Sequence, residues 1–346
     1  MFRIPVECND TAVCDISGQS NLAKLLRNTS LIIWDEVTLQ LKQNFGAVDR
    51  TLQSLLNNRD IFGGIPVVME NMRVVMGEEN QRFASWLSEL PYTPSLYGTM
   101  TIPEWIRTTN DRSEFCQSIY PVQSLRANDV SIFRDRAILS SRNDDVNRFN
   151  NDMAHLRSSP FHEYFAVDVV QNDESGHLSD YPSEYLQSLS GSGLPLGKLS
   201  LQVGMPIMLL RNYYARRGLC NGTRLIITRL FNHCIKGRII SPDRRFDGIE
   251  HIISRMTITS SEDLSFTLTR KQLPIRPCYS MTINKSQGQT LQRVGVDLST
   301  PVFSHGQLYV ALTRVTNVNS LIILLPPGPK ATNNVVYPEV LLRPES

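Results

Sequence analysis

Cys278-Tyr-Ser-Met-Thr-Ile-Asn-Lys-Ser-Gln-Gly-Gln-Thr-Leu291 is the stretch from which the rest of the chain can be ordered. Its first half, Cys278–Ile283, is an apolar run of strand length. Its second half crowds Asn284, Lys285, Ser286, Gln287, Gly288 and Thr290 into one turn. A buried strand gains no packing from such a turn. A lysine, hydroxyls and the open backbone at Gly288 are instead suited to gripping phosphate oxygens. Downstream, Val294–Leu298 and Leu321–Leu325 read as further strands, and Tyr309–Val315 as a helical stripe that presents one arginine, Arg314. Upstream, Arg136–Leu139 predicts a strand. The helix after it carries Asp144 and Asp145 in its first turn, where the dipole favours acids, and a buried stripe of Val146, Phe149, Met153 and Leu156. Strand and helix alternate, so the class is α/β.

Between these strands the pattern changes. Residues 199–258 hold short β-branched runs (Met205–Leu210, Thr223–Leu230, Gly237–Ile240, His251–Ile253) parted by Gly, Asn and Asp. That predicts a small antiparallel β module inserted into the α/β unit. Residues 172–198 read as loop from their Ser and Gly clusters.

Towards the N-terminus, Ser20–Arg27 predicts a short capped helix with Leu22, Leu25 and Leu26 inward. Leu31-Ile32-Ile33-Trp34 is apolar throughout, as a strand covered on both faces would be. It ends in Asp35-Glu36. At the end of an α/β strand this pair suits a nucleotidase, Asp35 holding Mg²⁺ through water and Glu36 activating the attacking water. A pair of acids at a helix cap is the plainer alternative. Leu41, Phe45, Val48, Leu52 and Leu55 follow at helical spacing, and Phe83, Trp86, Leu87 and Leu90 mark another helix. Pro91–Tyr120 reads as Pro/Thr-rich connector, and the chain after Pro326 as loose tail.

Composition narrows the partners. Of 346 residues, 41% are hydrophobic and 20% charged, enough apolar content for packed cores. No apolar stretch approaches the ~20 residues a membrane helix needs, and MFRIPVECND lacks the features of a secretory signal. The six cysteines form no C-x-x-C pair, which fits reduced thiols in an intracellular protein. The net charge of +2 hides an asymmetry: residues 1–196 carry 16 Lys+Arg against 25 Asp+Glu, and residues 197–346 carry 19 against 8. Arginine supplies 28 of the 35 basic residues, and its fork matches phosphate oxygens bidentately. The basic half fits a polyanion partner or a solvated surface.

A phosphate cradle of the form G-x-x-x-x-G-K-[ST] is absent from the 346 residues. The nearest stretch, Gly191–Leu199, has the wrong glycine spacing, Leu199 in place of the metal-binding hydroxyl, and no apolar strand before it. It reads as loop.

Several phrases together resemble the PIF-type superfamily-1 DNA helicases, especially the branch carried by Helitron transposons. They are LQVGMPIMLLRN (201–212), GLCNGTRLIITRL (218–230), MTINKSQGQTL (281–291) and PVFSHGQLYVALTRV (301–315), with TSLIIWDEV (29–37), VDRTL (48–52) and ENMR (70–73) upstream. The resemblance implies two RecA-like lobes with ATP and Mg²⁺ bound between them, and an SH3-like β insertion in the second. On it, residues 1–90 form an incomplete first lobe and 91–135 a connector. Residues 136–194 and 261–326 form the second lobe, 195–260 the insertion, and 327–346 the tail.

Residue by residue, the resemblance gives Asp35 and Glu36 the metal and water-activating roles, and Arg73 and Arg314 the contacts to the γ-phosphate. Thr282, Lys285, Gln287 and Gly288 would link nucleotide to DNA. Arg211, Asn212, Asn221 and Thr223 would touch DNA or, equally, fix turns of the β module. Tyr213 and Tyr214 would stack on bases or pack the turn. The implied activity is ATP-dependent 5′→3′ unwinding in recombination, repair, telomere maintenance or transposition, acting on single-stranded and duplex DNA, in the nucleus or mitochondrion. The sequence departs from the family at three places. It starts past the family's phosphate loop, Ile65–Glu70 stands where the family has a longer stretch with a G-D-F-x-Q motif, and Arg142 replaces a small residue. A single-stranded-DNA-binding remnant without nucleotide turnover is the competing expectation. A first lobe lacking strands would leave the apolar edge of Leu31–Trp34 uncovered.

Overall fold

The computed structural model describes residues 2–5, 8–34, 42–68, 77–171, 181–189, 193–260 and 266–338. The chain divides into two compact units. One comprises Met1–Asn110, Ser286–Gln292 and Leu298–Ser346, and the other Asp111–Lys285 and Arg293–Asp297.

The second unit is built on three parallel strands. Arg136–Ser140 lies between Ser280–Thr282 and Arg293–Asp297, with Leu139 opposite both Met281 and Val296. Ala137, Ile138 and Leu139 are fully buried, as their unbroken apolar run requires. Helix Asn143–His155 packs here through Val146, Phe149 and Met153. Beside it lies Arg112–Ile119, started by an Asp111 carboxylate that accepts from Ser113 N at 2.7 Å. Phe115 and Phe149 meet at 5.8 Å between ring centroids, and Gly295 lets the Phe115 ring approach the strand.

The predicted β module is present and larger than expected. Its five-stranded antiparallel sheet runs Glu250–Ser254, Cys234–Ile240, Arg224–Leu230, Pro206–Leu209, Ile275–Pro277. A second sheet joins Met256–Thr259, Thr267–Gln272 and Val167–Gln171, and His162–Phe165 pairs with Lys198–Leu201. Strands from both sides of 195–260 therefore contribute. Within the stretch read as loop, Ser183–Ser188 is helical.

One fully buried arginine secures that region. Arg270 pairs with both carboxylate oxygens of Asp168 (2.7 and 2.9 Å) and donates to the carbonyls of Leu186, Leu189 and Pro195. All five N–H donors of the guanidinium are used.

In the first unit, the Ser20 hydroxyl accepts from Ala23 N at the start of helix Asn21–Arg27. Its inward face is Ala23 and Leu26, and Leu25, expected inward, is 54% exposed. Seven residues give less than two full turns, and Ala23 joins Leu26 and the partly buried Leu22 on the inward side in place of Leu25. Ile32–Ile33 pairs in parallel with Val67–Val68. This strand is not covered on both faces: Ile32 is buried against Phe45, Val48 and Leu52, while Leu31 and Ile33 are 50% and 59% exposed. Helices Lys42–Leu56 and Glu78–Glu89 bury the residues their spacing predicts, Phe45, Val48, Leu52, Phe83 and Leu87.

Elements also form where connector and tail were expected. Gly98–Thr101 pairs antiparallel with Ala331–Asn334, and Thr108–Thr109 pairs in parallel with Leu321–Leu324. The Asn334 amide donates to the carbonyls of Leu90 and Leu96 at 3.1 and 2.9 Å. These strands are short and rich in Thr and Asn, so they lack the apolar periodicity that marks strands in a sequence. All six cysteines are free thiols. Among the described residues no helix is long and apolar enough to cross a membrane.

Candidate nucleic-acid interface

The polar turn after Ser280–Thr282 is a 3₁₀ segment, Ile283–Ser286. The Thr282 hydroxyl accepts from the Lys285 backbone N–H at 3.4 Å, so this threonine shapes the turn. The Lys285 ammonium then reaches Asn221 and donates to its Oδ1 at 3.0 Å. Burial, and the nearby charges of Arg276 and Arg211, hold its pKa below the ordinary lysine value.

Asn221 sits at the head of a tight turn. Its backbone N–H donates to Asn212 Oδ1 at 2.9 Å, and Gly222, at φ 88°, donates to the Leu209 carbonyl. The Thr223 hydroxyl donates to the Gly218 carbonyl and accepts from Cys220 N. Asn212 and Thr223 are thus turn-fixing residues. Asn221 alone of the three turns its side chain to the lysine. Arg211 is exposed and lies across Gly193, where an added Cβ would sit 3.3 Å from the guanidinium.

Arg276 completes the group and was missed in the sequence. It extends from Ile275–Pro277 and donates to Asn143 Oδ1 (3.0 Å) and Asn147 Oδ1 (2.8 Å), neighbours one turn apart on helix Asn143–His155. Burial lowers its pKa. An arginine interrupting the apolar run Leu273–Ile283 was the available signal. Because its partners are neutral amides, its charge is not cancelled there. Lys285, Arg276 and Arg211 make a positive shelf, suited to phosphate oxygens by charge and by the arginine fork.

The other predicted residues lie elsewhere. In the first unit Gln287 and Gly288 are exposed, with Gly288 at φ 79°. Arg314 does not project from a helix surface: the helix ends at Leu312, and the arginine is fully buried. Its Nε donates to the Val310 carbonyl (2.8 Å), Nη1 to those of Ser286 (3.3 Å) and Gln289 (3.2 Å), and Nη2 to the Thr313 hydroxyl (2.9 Å). Arg314 therefore braces the turn at Ser286–Gln289. Asp35, Glu36 and Arg73 lie outside the described residues. Arg314 is engaged by three backbone carbonyls and the Thr313 hydroxyl. Among the described residues no group of three or more His, Cys, Asp or Glu could hold a metal ion.

The chain is a mixed α/β protein with a parallel sheet, an antiparallel module and a basic shelf. Comparison with known proteins narrows that description. Residues 1–76 match the model of the PIF1-like helicases, and residues 184–230 the model of the DNA helicase Pif1 2B domain. The rat and human proteins named ATP-dependent DNA helicase PIF1 are each 25% identical over 315 residues, covering 86% of this chain and 46% of theirs. A Campylobacter jejuni protein of the same name is 24% identical over 337 residues, covering 87% of this chain and 71% of its own. The crystal structure of Pif1 helicase from Candida albicans shares the fold, with a TM-score of 0.50 at 20% identity over 87% of this chain and 74% of that one. The chain is thus similar to the PIF1-like helicases in two separate stretches and, at about a quarter identity, along most of its length. It spans about half the length of the mammalian relatives it matches.

Proposed function

We propose that this chain works as part of an ATP-driven DNA helicase of 5′→3′ polarity, and that its second unit grips single-stranded DNA by phosphates on the Lys285–Arg276–Arg211 shelf. The observation that carries the reading is the shelf itself: three cations within electrostatic reach, Lys285 bonded to Asn221 and Arg276 to two asparagines. The relatives named ATP-dependent DNA helicase support the same activity. The sequence resemblance extends the reading to duplex unwinding in recombination, repair or transposition, to a Helitron ancestry, and to action in the nucleus or mitochondrion. In it, Asp35 and Glu36 keep their metal and water-activating roles and Arg73 its γ-phosphate contact. Arg314 acts by positioning the Ser286–Gln289 turn.

For the 346-residue polypeptide on its own, one observation favours a second reading, DNA binding without nucleotide turnover: no phosphate cradle occurs in its sequence.

Fluorescence anisotropy of a labelled oligonucleotide across a salt series tests the shelf. Each phosphate contact on a single strand contributes about −0.7 to the slope of log K against log salt, so three to five contacts give roughly −2 to −3.5. A flat response, or no binding at low salt, rejects the proposal.

A further inference from the structure

The turn that follows Arg211 and Asn212 carries two tyrosines, and the structure gives them opposite surroundings. The Tyr213 phenol oxygen accepts from Ser254 N at 3.2 Å, so this ring is an anchor. Tyr214 is 52% exposed. Its backbone is held firmly all the same. The N–H groups of Tyr213 and Tyr214 both donate to the Leu219 carbonyl, and the Tyr214 carbonyl accepts from Arg217 and Leu219. Gly218 closes the turn at φ 78°, where an added Cβ would sit 2.7 Å from the Phe246 ring. The Arg217 guanidinium carbon lies 5.3 Å from the centroid of the Tyr214 ring.

Charge points the same way. Arg216 and Arg217 are exposed. The acids of the neighbouring hairpin are committed elsewhere: Asp243 to Arg245, Asp247 to Arg134, and Glu250 to Lys236 and Arg238. Tyr214 thus carries an exposed ring on a fixed backbone, in contact with Arg217, and among the described residues no ion pair engages Arg216 or Arg217. This arrangement matches what binding an unpaired base requires, since every base offers a π-face and its flanking phosphates seek cations.

We propose that Tyr214 is a base-stacking platform for single-stranded DNA, with Arg216 and Arg217 holding the flanking phosphates, so that the bound strand runs on from the Lys285 shelf onto this turn. The proposal rests on the reading that the second unit binds single-stranded DNA, and adds a contact that salt does not screen.

The test uses the full chain and an oligonucleotide carrying one 2-aminopurine, whose fluorescence is quenched by stacking. Tyr214→Ala is expected to weaken binding about 5- to 150-fold, the usual range for one base–aromatic stack, with the salt slope unchanged. It should also abolish the quenching, which Tyr214→Trp should preserve. Arg217→Ala should instead flatten the slope by about 0.7. Tyr213→Phe, which keeps the ring, controls for damage to the turn and should bind as the wild type does. Wild-type binding with affinity and quenching unaltered in Tyr214→Ala overturns this proposal alone. No binding by the wild-type chain overturns the shelf reading and this one with it.

Discussion

Lys285 and Asn221 stand 64 positions apart in the chain and meet through a 3.0 Å hydrogen bond. The contact ties the polar turn after a parallel strand to a tight turn of the antiparallel module. Lys285 brings the charge, and Asn221 sets where the charge is held.

Removing each partner should therefore act differently on DNA binding. Lys285→Ala should reduce the salt slope by under one unit and weaken binding similarly for all sequences. Asn221→Ala leaves the charge in place, so it should weaken binding and keep the slope. The double variant should fall short of the sum of the two, because residues in direct contact are not additive. Anisotropy titrations of the four proteins at several salt concentrations give the cycle, and strict additivity would refute the coupling.

The 346-residue chain alone should turn over ATP negligibly, even with single-stranded DNA present. Without a cradle of backbone amides and a lysine, the β- and γ-phosphates lack their strong anchor. A coupled phosphate-release assay reads this directly. DNA-stimulated turnover near the ~10 s⁻¹ typical of enzymes would overturn it.

Arg270→Met should cost about 3–5 kcal/mol of stability, since it leaves a buried Asp168 carboxylate and three carbonyls without their donor. Arg270→Lys should recover little. One ammonium cannot replace a fork whose five donors are all engaged. Urea unfolding at neutral pH measures both, and a loss below 1 kcal/mol for the methionine variant would show the clamp to be incidental.

Gly295→Ala should cost roughly 1–3 kcal/mol by overpacking, because the new methyl would lie 2.7 Å from the Phe115 ring and 3.0 Å from Ile119. Pairing it with Phe115→Leu should return part of that loss in the same unfolding experiment.

Burial pushes the Cys116 thiol up to about 11, and raises those of Cys278 and Cys14 as well. The thiolate is the reactive form, so at pH 8 these three should resist alkylation in the folded chain. Labelling of Cys116 should rise only as pH approaches its raised pKa. Peptide mass spectrometry after brief iodoacetamide exposure follows each site, and rapid labelling of Cys116 at pH 8 would contradict its burial.

What could be read from residues alone follows a physical division. Arg136–Leu139 and Leu321–Leu325 were legible because covered strands are rich in consecutive apolar residues, whereas of Cys278–Ile283 only Ser280–Thr282 is strand. Helix Asn143–His155 was legible through its stripe and its early acids. Gly98–Thr101 and Ala331–Asn334 were not, because each is held by the other across more than two hundred residues and neither is apolar. Arg276 escaped notice because the asparagines that hold it lie about 130 positions upstream. Arg314 was placed outward by continuing a helical period that in fact stops at Leu312. Periodicity reports the faces of regular elements. It is silent on side chains just past their ends, and several residues of the candidate site are of that kind.

The pairing of Ala331–Asn334 with Gly98–Thr101 fixes how short a recombinant version of the protein can be made. A gene cut after Pro326, at what looks like the onset of a dispensable tail, would strip one strand from a two-stranded ribbon. It would leave the carbonyls of Leu90 and Leu96 without the Asn334 amide that donates to them, and Gly98–Thr101 without its paired strand. Such a product would present a bare backbone edge to its neighbours in solution, an invitation to precipitate during purification. A stop codon placed after Tyr337 keeps the ribbon whole.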